Sequence, residues 1–278
     1  MPDDLSELLR KRAGLVSGGA QEEIRVGLKA SLLGREVYAS ETISSTNQVA
    51  LNLGEKGAPD GTLVIADFQS AGRGRLGRSW VAPAGTSLLF SLLLRPPLAA
   101  SRCFLVAMAT GLGVAEGIRR TTSLVARLKW PNDVLIEGRK VCGLLLESRI
   151  LGERLDFAVV GVGVNVNLET QGVSGIPADA TSLQGALGHE VSRLTLLRAI
   201  LESTERRYVA IHHGRSPLDE WSALLDTIGS RVRVQLGDKL EEGLAEGVTE
   251  SGALRVRQSN GRVLKISTGE VIHLEPGP

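Results

Sequence analysis

Residues 160–167 read Val-Gly-Val-Gly-Val-Asn-Val-Asn. Strict alternation over eight residues has the two-residue period of a β-strand, so four valines share one face and Gly161, Gly163, Asn165 and Asn167 share the other. The valines belong in a core. The opposite face carries almost no side-chain volume, which is expensive in a strand and points to a backbone or a ligand lying close against it. For the glycines taken alone, tight sheet packing is an equally good account.

The flanking patterns are mixed. Thr62–Ala66 and Thr86–Leu94 read as buried strands, joined by a loop rich in Gly and Arg. Ser101 can cap a long apolar helix reaching about Thr121, with Leu105, Met108, Leu112 and Ala115 facing the core and interior glycines implying close packing. Val134–Ile136 and Lys140–Ser148 form a strand pair around Glu137-Gly138-Arg139, and the alternating strand runs from Phe157 to Asn167. Thr195–His212 is an amphipathic helix, and Pro217–Leu225 a short helix or link. After Asp226, five short alternating runs (Arg231–Leu236, Gly243–Val248, Ala253–Gln258, Arg262–Ser267, Glu270–Leu274) are punctuated by Gly237-Asp238, Ser251-Gly252 and Asn260-Gly261, the pattern of a small barrel. Ahead of residue 35 stand only a short helical pattern at Leu5, Leu8 and Leu9, Gly18-Gly19, and an amphipathic stretch from Gln21 to Leu33. The expected fold is α+β, a mixed and largely antiparallel sheet packed with helices plus a small β-barrel. The expected segments are 1–34, 35–225 and 226–278.

With hydrophobic residues at 42% and charged residues at 23%, the 278-residue chain is globular rather than disordered, and aromatics at 3% leave the core to aliphatic side chains. A formal net charge of +1 argues against a broadly basic nucleic-acid-binding surface. Cys103 and Cys142 lack the paired spacing of a zinc site or disulfide framework, so reduced structural thiols are expected. No signal-like run and no eighteen-residue apolar run occurs, so the expectation is a soluble, cytoplasmic protein with no membrane partner.

Four segments carry chemistry. The first, Gln69 to Trp80, sets Arg73, Arg75 and Arg78 among Gly72, Gly74 and Gly77 with no acid between them. Arginine supplies planar, permanently charged donors for phosphate or carboxylate, and glycine lets backbone N–H groups curl inward, so a loop ordered by an anionic ligand is expected. An Arg-Gly turn in solvent and an RNA-binding tail are the alternatives, and the loop's position between two core strands argues against the tail. The second, Lys129-Trp130-Pro131-Asn132-Asp133, has turn chemistry. If Glu137-Gly138 is a two-residue hairpin loop, it leads into a polar face carrying Asp133, Leu135, Lys140 and Cys142, with Val134, Ile136, Val141 and Gly143 opposite. The third is the Gly/Asn face of residues 161–167. The fourth, Ser44-Ser45-Thr46-Asn47, opens a helix, and capping by itself explains it.

Taken together and in order, Ser45-Thr46-Asn47, Gln69 with Gly72 to Trp80, Lys129 to Asp133, Lys140-Val141-Cys142-Gly143 and Gly161 to Asn165 resemble the motif set of biotin protein ligases. The resemblance runs from about residue 35 to the C-terminus. It implies a class II synthetase-like core with an SH3-like C-terminal domain, ATP with Mg²⁺, biotin as substrate, an adenylate intermediate, and a biotin carboxyl carrier protein as partner. It implies that Ser45, Thr46, Asn47 and Gln69 surround biotin, with Lys140 at its carboxylate and Gly143 nearby. Arg73, Gly74 and Arg75 would close over biotin and its adenylate, and Arg73, Arg75, Arg78, Trp80, Lys129, Asn132 and Asn165 would meet the nucleotide. Lys129, Lys140 and Arg75 would stabilise developing charge, and Asp133 would orient or deprotonate the acceptor amine.

Trp80 and Trp130 could pack on adenine or anchor their loops. No Gly-Lys-Ser/Thr phosphate loop is present, no Mg²⁺ ligand set is legible, and Cys142 has no catalytic part. Some members of the family carry an N-terminal helix-turn-helix domain. Leu5 to Val16 resembles its first helix with no room for a recognition helix, so no sequence-specific DNA binding or repressor activity is expected. The ending His273-Leu274-Glu275 has no late arginine, which puts a contact from the small barrel to the nucleotide in doubt. The residues do not decide between monomer and homodimer. The rivals are a lipoate or octanoate ligase and a nucleic-acid-binding module.

Overall fold

The computed structural model describes residues 16–17, 22, 24–170, 174–236 and 239–274. The helical pattern at Leu5 to Leu9, Gly18-Gly19, Gln21, the turn at Gly237-Asp238 and Glu275 lie outside these residues.

An eight-stranded mixed sheet forms the larger unit. Its strands are β1 (Val16–Ser17), β2 (Val37–Ile43), β3 (Thr62–Gln69), β4 (Ser87–Leu94), β5 (Ala126–Lys129), β6 (Asp133–Ile136), β7 (Arg139–Leu151) and β8 (Arg154–Asn165), in the order β1-β2-β3-β4-β8-β7-β6-β5. Only β2 and β3 pair in parallel; the other neighbours are antiparallel. A smaller antiparallel sheet follows, with β9 (Arg231–Leu236), β10 (Lys239–Val248), β11 (Leu254–Arg257), β12 (Val263–Ile266) and β13 (Glu270–His273) in the order β12-β11-β10-β9-β13. Its hydrogen-bonded ladder is open between β12 and β13 among the described residues.

Helix α1 (Thr46–Glu55) lies against β3, β4 and β8, and α2 (Phe104–Thr122) packs on α4 (Arg193–His212). Helices α3 (Leu183–Leu187) and α5 (Leu218–Ala223) are short. The α2–α4 contact is tight because a Cβ on Gly113 would stand 2.0 Å from Thr204 Oγ1, and one on Gly117 would stand 2.6 Å from Ile200 Cγ1. Bulkier residues there would force the helices apart. The segment Ala100–Thr122 is long and apolar enough to cross a membrane by length and composition, yet 67% of that window is buried in this core.

Three expectations need correction. Ser101 sits in a 3₁₀ turn, Ala100–Arg102; α2 begins at Phe104 with Cys103 at its N-cap and no side-chain cap bond. Val16 pairs as strand with Ala39 rather than ending a helix. The stretch ending at Leu33 turns at Val26-Gly27, and afterwards the N–H groups of Leu32 and Leu33 donate to Glu205 Oε2 at 2.8 and 2.7 Å instead of to a helical ladder. Its apolar residues Ile24 and Leu33 are still fully buried.

The two sheets share one continuous core, and Trp130 joins them. It is 1% exposed; its Nε1 donates to Gly252 O at 2.8 Å and its backbone N–H to Thr227 Oγ1 at 3.0 Å. Thr227 Oγ1 also lies 3.2 Å from His273 Nε2, whose imidazole pKa is pushed down chiefly by burial and then by Lys129. Trp130 is therefore the anchor of its turn. Trp130→Phe keeps an aromatic ring of smaller volume, strands the Gly252 carbonyl and leaves a void beside it, so it is expected to cost about 1–3 kcal/mol of stability, read as a lowered thermal midpoint.

Candidate active site

A cavity of about 630 Å³ opens on the glycine face of β7 and β8, roofed by the Arg-Gly loop. A Cβ on Gly161 would lie 2.1 Å from Asn47 Oδ1, and one on Gly163 would lie 2.5 Å from Trp80 Cε2. The bare strand face is thus the seat of two side chains brought from elsewhere in the chain.

At the α1 end the network is polar and neutral. Ser45 is the N-cap but makes no side-chain cap bond; Gln69 caps instead, its Oε1 accepting from Thr46 N at 2.7 Å and Thr46 Oγ1 at 3.1 Å. That fixes the amide so that its NH₂ remains to donate, and leaves the Ser45 hydroxyl, 3% exposed, on the cavity wall. Asn47 is differently placed. Its Nδ2 donates to Leu145 O at 3.2 Å and Glu147 Oε2 at 2.8 Å, and its Oδ1 lies 2.6 Å from Ser91 Oγ. Both its donors are spent on protein, so Asn47 shapes the wall and has no hydrogen to offer a ligand.

The loop has a backbone scaffold of its own. Arg73 bridges Ser79, Gly74 N donates to Arg78 O at 2.7 Å, and Trp80 N donates to Gly72 O at 2.9 Å. Arg73 pairs with Glu147 through Oε2, the oxygen that Asn47 also meets. Arg75 Nη1 donates to Asn132 Oδ1 at 3.1 Å, and Asn132 Nδ2 donates to Leu144 O at 2.7 Å. The exposed Arg78 also lines the cavity, as does Gly74.

At the far end, Glu137-Gly138 is a two-residue hairpin loop, both residues at positive φ (51° and 75°), as the strand twist demands. The expected faces nevertheless change. A bulge pairs Leu135 with Lys140 but Val134 with Cys142 and Asp133 with Gly143. The extra residue, Val141, swaps the two that follow: Gly143 joins Asp133 and Lys140 on the cavity face, and Cys142 turns into the core. Lys140 Nζ lies 2.7 Å from Asp133 Oδ1 and 5.8 Å from the Trp80 ring centroid, and Trp80 also covers Gly143. Burial pushes the Cys142 thiol far above its ordinary range, in keeping with a structural role. Lys129 lines the same end, and Asn165, 4% exposed, donates from Nδ2 to Thr181 O at 3.0 Å.

The structure brings all fifteen candidate residues around one cavity, either in its lining or, for Arg73, also in the ion pair at its rim. Sequence reasoning missed Glu147 and Ser91, which hold Asn47 behind the wall, and in the lining it missed Gly175-Ile176-Pro177 with Ala180, Gly269 and Val271. Ser91 carried a signal, a polar residue inside the apolar run of β4. Gly269 and Val271 bring the C-terminal unit to the cavity lining without an arginine.

Residues 39–165 match the Biotin/lipoate A/B protein ligase family, and residues 227–274 match the Biotin protein ligase C terminal domain. The fold is thus that of the biotin/lipoate protein ligase class. The bifunctional ligase/repressor BirA of Bacillus subtilis is 33% identical over 95% of this chain and 81% of its own length. The biotin--[acetyl-CoA-carboxylase] ligase of Paracoccus denitrificans is 35% identical over 78% of this chain and 92% of its own. The biotin protein ligase of Aquifex aeolicus, solved with biotin and ATP, superposes with a TM-score of 0.68 at 28% identity, covering 84% of this chain and 95% of that one. The chain belongs to the biotin protein ligase family, and it is a ligase.

Proposed function

We propose that this enzyme forms biotinyl-AMP from biotin and ATP and passes the biotinyl group to one lysine of a biotin carboxyl carrier protein. The observation that carries the proposal is a single cavity with neutral hydrogen-bonding groups at one end and Arg75, Lys129 and Lys140 at the other. A ureido ring suits the first end: the Ser45 hydroxyl and the Gln69 amide can pair groups that would each cost roughly 1–3 kcal/mol if buried unpaired. Thr46 holds Gln69 in place, and Asn47 holds the floor. A carboxylate and phosphates suit the second end.

In the first step the biotin carboxylate attacks the α-phosphorus and pyrophosphate leaves. Lys140 steadies the carboxylate; Lys129 and Arg75 offset charge at phosphorus. Arg73, Gly74 and Arg78 cover the adenylate, Gly143 gives it clearance, and Asn132, Asn165 and Trp80 border the nucleotide. The Trp80 Nε1 hydrogen is buried with no protein acceptor among the described residues, a donor to spare for the ligand. In the second step the carrier lysine's amine attacks the mixed anhydride and AMP leaves, with Asp133 orienting the amine.

Mg²⁺ arrives with the nucleotide as part of the substrate. Asp133 is the one carboxylate among the described lining residues, and no group of three His, Cys, Asp or Glu among the described residues could hold a metal ion. That suits a cation held mainly by phosphates and water. The domain reading is 1–34, 35–225 and 226–278, with residues 226–278 as an SH3-like domain. The enzyme is read as a cytoplasmic ligase, and its formal net charge of +1 argues against a broadly basic nucleic-acid-binding surface.

Arg75→Ala is expected to leave the fold intact and to release adenylate about tenfold faster, followed by filtration of labelled intermediate. The function itself is tested by incubating the enzyme with biotin, ATP, Mg²⁺ and a biotin carboxyl carrier domain. One biotinyl group should appear on the carrier by intact mass, and none when the acceptor lysine is replaced by arginine. Lipoate modification instead would move the enzyme to its nearest rival, and an unmodified carrier would reject the transfer.

A further inference from the structure

Two stretches border the cavity, one within residues 70–86 and one comprising Gly175, Ile176, Pro177 and Ala180, and residues at their stems meet at the start of α4. Arg193 is fully buried there. Its Nη1 lies 2.8 Å from Asp67 Oδ1, near the end of β3, and donates to Ser87 O, the first residue of β4, also at 2.8 Å. One nitrogen therefore ties together the two strands between which the Arg-Gly loop is strung. Asp67 is itself 4% exposed, and it stands two residues before Gln69.

The second segment is fastened to the same place. Asn167, at its entrance, exchanges two hydrogen bonds with Val191: Nδ2 to Val191 O at 3.0 Å, and Val191 N to Oδ1 at 2.9 Å. Thr86 O, at the end of the first segment, accepts from Val166 N at 3.2 Å and Asn167 N at 2.7 Å. Both ends of the first wall and the entrance of the second are thus tied to residues 191–193.

A buried ion pair is a poor stabiliser compared with well-packed apolar residues of similar volume, so stability is a weak reason to place one here. Its geometry is the better reason: a charged nitrogen with two fixed acceptors sets the separation of the stems more sharply than apolar packing can. We propose that Arg193 is a positioning residue that fixes the stems of both walls, so that they hold the adenylate between the two half-reactions. The assignment rests on the ligase reading and adds to it a residue that touches no substrate.

The test uses two variants of the full chain. Asp67→Leu with Arg193→Met removes both charges of the pair together and puts apolar side chains in their place. Arg193→Lys keeps a charge for Asp67 on a shorter head that cannot serve both acceptors with the same geometry. In folded protein of near wild-type thermal midpoint, the double variant is expected to release biotinyl-AMP about tenfold faster, and Arg193→Lys about threefold faster. The single-turnover rate of adenylate formation at saturating biotin and ATP should change less than about twofold, because Lys129, Lys140 and Arg75 are untouched. A purely structural pair would lower the midpoint and leave release unchanged. Wild-type release from whichever variant is folded overturns the assignment, as does a loss confined to the formation rate. A wild-type enzyme that makes no adenylate defeats the ligase reading itself, a result distinct from either.

Discussion

Lys140→Met should lower the rate of biotinyl-AMP formation by about 10²–10³-fold at saturating substrates, the effect of removing one charged donor aimed at developing charge. Methionine keeps the unbranched stem that lies beside Gly143 and Trp80, so the cavity retains its shape. The fold should survive, because the Lys140–Asp133 pair is partly solvated, with side chains 29% and 22% exposed, and a pair of that kind contributes about 1 kcal/mol or less. Rapid-quench measurement of the adenylate, beside a thermal melt, separates the two effects. A loss below about fivefold would mean that Lys140 does not meet the carboxylate or phosphate in the transition state, and that its place is to hold Asp133.

Gly161→Ala should act at the opposite end, raising KM for biotin by about 10²-fold while costing about 1–3 kcal/mol of stability. The added carbon would lie 2.1 Å from Asn47 Oδ1, so Asn47 must leave its place. Leaving breaks its bonds to Leu145 O and Glu147 and frees Ser91, whose hydroxyl also lies 2.8 Å from Thr46 Oγ1. Thr46 in turn holds Gln69. One methyl group therefore disturbs the whole neutral end of the cavity. Non-additivity supplies the check: with Asn47→Ala already in place the clash is gone, and Gly161→Ala should add little further loss. Additive losses would show that the alanine acts on the strand and not through Asn47.

The contrast between these two ends shows what the sequence made legible. Residues 160–167 announced a strand with a bare face because period-two alternation needs no tertiary information, and the structure seats Asn47 and Trp80 on that face. The charged end was readable for a similar reason: three arginines among glycines, on a loop strung between two core strands, suit an anionic ligand. Which residue carries out a task was harder. Serine before a helix reads as a cap, yet the cap is supplied by Gln69 from twenty-four residues away, and only three-dimensional proximity makes that substitution possible. The bulge at Val141 was invisible as well. A single extra residue leaves the local pattern of apolar positions plausible in either register, but it exchanges Cys142 and Gly143 between core and cavity. Glu147 and residues 175–180 were missed because neither has periodicity or unusual composition; they matter through what they touch. Trp130 and Trp80 looked alike in sequence, and burial separates them, one locked to Gly252 and the other lying on the glycine face.

The most direct test of the central claim is exchange of labelled pyrophosphate into ATP by the purified enzyme with Mg²⁺, measured with biotin, lipoate and octanoate in parallel. Exchange with biotin alone is the expected result, since reversal of the first step requires only the cavity described and no carrier. Exchange that needs lipoate or octanoate, or no exchange with any of the three acids in folded protein, would contradict the assignment of the neutral end to a ureido ring and of the charged end to carboxylate activation.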